Sequence, residues 1–248
     1  MTWYPIPYES ARMLATPQVS LYESLLKNSW QRICQQLSLQ AHFILTAQVY
    51  QELLDCYSQP HRAYHSVQHL AECIDLFEQV GHLAAHPAQL ELALWFHDAI
   101  YQTQPSPDQS NPAQNSHEQP SNQRRSNEQR SADWAAQFLN HCDANPAMIE
   151  QVIDLIMATQ HHQASDADEQ LMIDIDLAIL GSTPTRFAQY QQQISKEYDF
   201  VEPALFAVKR REVLAGFFQR PRIYQTAYFY EHYEQQARQN LQDALNAL

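Results

Sequence analysis

The 248-residue chain carries a formal charge of −13 and contains only three glycines, Gly81, Gly181 and Gly216. So few glycines, set against a usual ~7 % of residues, leave no material for a GxGxxG turn or a phosphate-cradling loop, which excludes Rossmann and P-loop folds. The acidic surplus argues against bulk nucleic-acid binding by phosphate neutralisation, yet it permits a small phosphorylated substrate in a local cationic pocket. With 45 % hydrophobic residues the chain can bury a sizeable core, and its length favours one domain over two. The start, MTWYPIPYES, lacks the basic residues and apolar run of a signal peptide, and no stretch approaches a membrane span. Cys34, Cys56, Cys73 and Cys142 form no CxxC pair and suit free thiols, so the expected location is the cytoplasm and no membrane partner is expected.

The apolar spacing is helical nearly everywhere. Leu21, Leu25, Leu26, Ile33, Cys34 and Leu37 recur at three- and four-residue steps, as do Phe43, Ala47, Tyr50, Leu54 and Tyr57. A third face runs from His69 through Leu70, Cys73, Ile74 and Phe77 to Val80, with Gly81 placed to end it. Leu90 to Ile100 is apolar on almost every side, the mark of a helix at the centre of a bundle. The segment from Gln102 to Asn127 is Gln, Ser, Asn and Pro with little else, and is expected to be a flexible loop inserted within the single domain. Ala132, Ala135, Ala136 and Leu139 resume the helical pattern, followed by Ile149, Val152, Ile153 and Ile156. Thr183 and Pro184 predict an N-cap and first-turn proline for a helix striped by Phe187, Tyr190, Ile194 and Tyr198. Helices around Leu205–Phe218 and Ile223–Leu245 finish an all-α, single-domain helical bundle.

Three places carry metal-ligand side chains within this apolar pattern. In RAYHSVQHL, His65 and His69 are four residues apart and would share a helical face, with Arg62 one turn earlier. An isolated HxxxH is more readily a pair of surface or first-turn histidines. In LALWFHDAIY, His97 and Asp98 interrupt a core helix, and a carboxylate buried there needs a cation or several donors. Imidazole nitrogen and carboxylate oxygen together suit a divalent metal, although a structural His–Asp couple fits as well. In LMIDIDLAILG, Asp174 and Asp176 are two residues apart and point to roughly opposite sides of a helix, so they are not expected to share one metal. Geometry alone does not choose between them.

The order His, His-Asp, distant Asp resembles the HD-domain superfamily of metal-dependent phosphohydrolases. The resemblance to one bacterial branch of predicted phosphohydrolases extends over RAYHSVQHL, LALWFHDAIY, SNEQRSA, the Thr and His of MATQHH, DIDLAILG, KEY and RQNL. The chain departs from that pattern in its long polar insert and in Lys196, where arginine is expected. The resemblance implies an all-α fold of the HD type. Its implied ligand set for a divalent ion (Mn, Mg, Fe, Ni or Zn) is His69, His97, Asp98 and Asp176, with Asp176 favoured over Asp174. The spacing of His65 and His69 is also similar to the HNxxHA motif of cyclic-nucleotide phosphodiesterases, which implies His65 as the acid that protonates the leaving oxygen.

The same resemblance places Glu128 near the metal and one of His161 and His162 on the substrate side, where His161 is the expected contact. Glu128 is otherwise a first-turn acid favoured by the helix dipole, and a histidine closing a helix is favoured in the same way. Among cations, Arg62 is the first expectation for substrate phosphate, with Lys196 and Arg210 behind it. The implied reaction is hydrolysis of a phosphoester of a nucleotide or other small phosphorylated metabolite. Asp98 would both ligate the metal and take a proton from the attacking water. Competing readings are a non-catalytic nucleotide-binding regulatory module and an HD-type two-iron oxygenase that draws extra ligands from Glu128 and His161 or His162. Assembly into a homo-oligomer is left open.

Overall fold

A computed structural model describes residues 17–103 and 125–247, and within them the chain is an all-α bundle with no strand. In chain order the helices are α1 (Pro17–Gln36), α2 (Phe43–Tyr57), α3 (Val67–Val80), α4 (Pro87–Phe96) and α5 (Asn127–His141). They continue with α6 (Pro146–His161), α7 (Ala167–Asp176), α8 (Pro184–Glu197), α9 (Pro203–Phe218) and α10 (Ala227–Ala247). The expected polar insert falls mostly outside the described residues. Its two ends meet: Gln102 N–H donates to Asn127 Oδ1 and Asn127 Nδ2 donates to the Gln102 carbonyl.

Helix α4 is the axis of the bundle, because every residue from Leu90 to Phe96 is buried and α1, α3, α5, α6 and α7 pack around it. An all-round apolar helix has no face to offer water, so the centre is its only stable position. Each large side chain buried there contributes about 1.5–3 kcal/mol. The single acid in this stretch, Glu91, is fully buried and satisfied by α1: Ser29 Oγ and Arg32 donate to its carboxylate, and Trp95 Nε1 donates back to Ser29 Oγ.

The structure corrects several expected boundaries. Helix α4 ends at Phe96 rather than Ile100, leaving His97 as its C-cap and Asp98 in the turn beyond. Helix α3 starts at Val67 with Ser66 as N-cap, so His65 precedes it and does not share its face with His69. Gly81 does end α3 as its C-cap, though in a right-handed conformation (φ −59°) that leads into a 3₁₀ turn; the Phe77 ring lies over it, 2.7 Å from where a Cβ would be. The final helix begins at Ala227, not Ile223, because the backbone from Ile223 to Thr226 is held by two buried carboxylates. Glu234 accepts from the N–H groups of Ile223 and Tyr224, and Asp174 from those of Gln225 and Thr226. Thr183 does cap α8, accepting from Arg186 N–H, with Pro184 in the first turn.

Gly181 closes the 3₁₀ turn Leu177–Gly181 that carries the chain from α7 to α8, and α10 lies directly on it. A Cβ there would sit 2.7 Å from the Tyr233 carbonyl oxygen and 3.0 Å from the Tyr224 hydroxyl. Backbone cannot swing aside as a side chain can, so Gly181→Ala is expected to destabilise the fold by about 1–3 kcal/mol, read as a lower urea midpoint with unchanged slope.

Candidate metal centre and cavity

Four side chains from three separate segments converge behind the C-terminal end of α4. His69 comes from the first turn of α3, His97 and Asp98 from the end of α4, and Asp176 from the last residue of α7. His69 Nε2 lies 3.2 Å from His97 Nε2, 3.5 Å from Asp98 Oδ2 and 3.2 Å from Asp176 Oδ1. His97 Nε2 is 3.2 Å from Asp98 Oδ2 and 3.6 Å from Asp176 Oδ1. Donor atoms bonded to one ion at about 2.0–2.2 Å stand roughly 3.0–3.5 Å apart, so the spacing fits a shared cation. The His97 tautomer agrees: its Nδ1–H donates to the Leu94 carbonyl at 2.8 Å, leaving the Nε2 lone pair aimed into the cluster.

The converging groups also act on one another electrostatically. Burial pulls the His97 pKa down, but Asp98 and Asp176 outweigh it and hold it well above the ordinary range. Burial alone would raise the two carboxyls. His97 and His65 instead hold Asp98 low, and hydrogen bonds from His162, His69 and His97 hold Asp176 low. Buried His69, Cys73 and His97, with donor atoms within 4.8 Å of one another, could hold a metal ion. Cys73 Sγ is almost equidistant from Nδ1 and Nε2 of His69, at 3.7 and 3.8 Å, and so flanks the ring rather than facing the Nε2 lone pair. Burial, with Asp176 adding to it, keeps this thiol protonated. The carboxylates are the closer oxygen donors to both imidazoles.

His65 stands beside the cluster, its ring 6.0 Å from that of His69, and it is held by Glu197 at the end of α8. Glu197 Oε1 accepts from the backbone N–H groups of Ala63, Tyr64 and His65 at 2.8–2.9 Å. Its Oε2 accepts from His65 Nδ1 at 2.7 Å and from the Tyr101 hydroxyl at 3.1 Å. Tyr101 also stacks on the imidazole, with ring centres 4.0 Å apart. Burial lowers the His65 pKa, but the charge of Asp98 and the bond to Glu197 raise it above its ordinary value. The same bond outweighs burial in holding the Glu197 carboxyl low. No pattern in the sequence marks Glu197 for this role.

Arg62 does something other than expected. Its guanidinium is buried and donates to the carbonyls of Asp98 (2.6 Å), Ala99 (2.8 Å) and His65 (3.2 Å), and to Gln59. It therefore ties the His65 turn to the end of α4 and satisfies carbonyls that the helix leaves free, with no fork left for phosphate. Lys196 is also corrected: it is exposed and does not line the cavity. Glu128 sits half-buried in the first turn of α5 and makes no hydrogen bond to any of the four converging residues. His161 is exposed, whereas His162 reaches the cluster with Nε2 3.5 Å from Asp176 Oδ2. His162 takes the left-handed conformation (φ 51°, ψ 47°) at the end of α6, uncommon for a residue other than glycine. That turn swings its ring inward against Phe217.

A cavity of about 410 Å³ opens onto Asp176, His65 and His162. Its walls come from Tyr64, Tyr101, α8 and α9, including Arg210. No helix among the described residues is long and apolar enough to cross a membrane. Comparison of the chain with protein-family models, curated proteins and solved structures finds no match.

Proposed function

We propose that this protein is a metal-dependent phosphohydrolase of the HD type, acting on a phosphoester of a nucleotide or other small phosphorylated metabolite. The observation that carries the reading is the convergence of two imidazole nitrogens, each 3.2–3.6 Å from the other and from two carboxylate oxygens, with one of the carboxylates, Asp176, lining a cavity. Those four residues would hold a divalent ion, which when bound supplies Lewis acidity and lowers the pKa of water. In the hydrolysis, a water oxygen forms a bond to phosphorus while the bond from phosphorus to the ester oxygen breaks. Asp98, only partly exposed and held ionised, accepts the proton from water. His65 delivers a proton to the departing oxygen through Nε2, since Nδ1 is committed to Glu197. Arg210 and Lys209, rather than Arg62, are the cations at the cavity wall.

Protein purified without chelator is expected to carry a divalent ion and to hydrolyse members of a panel of nucleotides and p-nitrophenyl phosphate, with activity lost on chelation and restored by the metal. A metal-loaded protein that binds a nucleotide yet turns over no phosphoester would instead support a regulatory module.

A further inference from the structure

Above the converging residues the cavity is walled by rings: Tyr64, Tyr101, Tyr190, Tyr198, Phe206 and Phe217. Charge is confined to two places, the Asp176 end and the Lys209–Arg210 pair on α9. The two are separated by a run of aromatic contacts. Tyr64 lies 4.8 Å from His69, Tyr190 lies 4.6 Å from Tyr64, and the Arg210 guanidinium sits 4.8 Å over Tyr190. Helix α9 measures the same separation, since Phe217, which touches His162, follows Arg210 by two turns, roughly 10 Å along the axis.

Two buried groups on this wall lack the partner their chemistry calls for. Arg210 is only 8 % exposed, yet its bonds are to a neutral amide: Nε and Nη2 both donate to Gln191 Oε1, at 2.9 and 2.7 Å. Among the described residues no carboxylate pairs with it, and a buried guanidinium without an anion is costly. Tyr64 lines the cavity, and its hydroxyl is buried with no hydrogen-bond partner. The unpaired guanidinium fits a ligand that brings an anion to Arg210.

We infer that the cavity selects a two-ended substrate, a phosphoester whose leaving group is a flat ring-bearing body with an anionic group at its far end. The phosphate sits at Asp176, the ring between the tyrosines and phenylalanines, and the distal anion on Arg210. A volume of about 410 Å³ suits one such molecule, within the usual range of about 300–1,000 Å³. This inference rests on the phosphohydrolase reading for which end is phosphate, and it disfavours small polar sugar phosphates as substrates.

Non-hydrolysable phosphonates separate the claim from catalysis. Calorimetry on the full chain loaded with Mn²⁺ would compare methylphosphonate, phenylphosphonate and 4-carboxyphenylphosphonate. The phenyl probe is expected to bind roughly tenfold or more tightly than the methyl probe through ring burial. The carboxylate should add roughly another tenfold through Arg210. Arg210→Met should remove the second gain and spare the first; if that variant does not fold, the wild-type series alone decides. Equal affinity for the methyl and phenyl probes overturns the inference, and so does a carboxylate that adds nothing. If the expected series appears while p-nitrophenyl phosphate is not turned over, the two-ended cavity stands and hydrolysis falls.

Discussion

Asp176→Asn is expected to strip metal from the purified protein, whereas Asp174→Asn is expected to leave it in place and to lower stability. The two acids lie two residues apart on α7, about 200° around the helix, and so enter different environments. Asp176 meets His69 at 3.2 Å, His97 at 3.6 Å and His162 at 3.5 Å. Asp174, fully buried, turns to the start of α10, where its carboxylate accepts from Gln225 N–H, Thr226 N–H and the Thr226 hydroxyl at 2.7–3.1 Å. Removing the charge at position 176 is expected to weaken divalent-ion binding by more than about 100-fold, since even residues behind a ligand matter by 10–100-fold. An amide at position 174 turns an NH₂ toward donors it cannot satisfy, an expected loss of about 1–3 kcal/mol. Metal-to-protein ratios and urea midpoints on identically purified variants separate the two effects. Metal loss from Asp174→Asn alone would reverse the assignment of α7.

Periodicity revealed the helices because each buries a face, and α4 was plainest because it buries every face. It also drew the eye to His97 and Asp98, the polar pair at the end of an otherwise apolar run. What it did not show is where α4 stops. Asp98 and Ala99 leave the helix because Arg62, distant in sequence, binds their carbonyls, and no local pattern encodes that partner. The same cause misplaced Arg62. Read as a continuous helix, Arg62, His65 and His69 share a side; in the fold, the chain enters α3 only after Ser66. A serine directly before the periodic run is an N-cap signal that could have marked this boundary.

Glu197 was hidden for the same physical reason as Arg62, since its partners lie more than 130 positions away. The two residues form one device around a single turn, a carboxylate on the amides of residues 63–65 and a guanidinium on the carbonyls of His65, Asp98 and Ala99. The choice between His161 and His162 depended on one left-handed residue, and helical spacing carries no information about the turn after a helix ends. Arg210 was legible as a cation near the site, but its lack of a counter-charge is a property of burial that only the packed structure shows.

On the phosphohydrolase reading, His65→Ala is expected to retain metal and to lower turnover on the order of 10²–10⁴-fold, with a smaller loss for p-nitrophenyl phosphate, whose leaving group departs without a proton. Glu197 acts through His65 and makes a second, more discriminating test. Glu197→Gln keeps an oxygen for the three backbone N–H groups but removes the negative charge beside Nδ1. A general acid works in its protonated form, so the rate falls as pH rises through its pKa. Burial pulls the His65 pKa down while Asp98 and Glu197 push it up. Without the Glu197 charge that pKa drops, and the alkaline limb of the pH–rate profile moves to lower pH. A purely structural role would lower the rate at every pH and leave the limb where it was. An unmoved limb in Glu197→Gln, or metal loss in His65→Ala equal to that in His69→Ala, would remove His65 as the proton donor and make it a further ligand or a wall of the cavity.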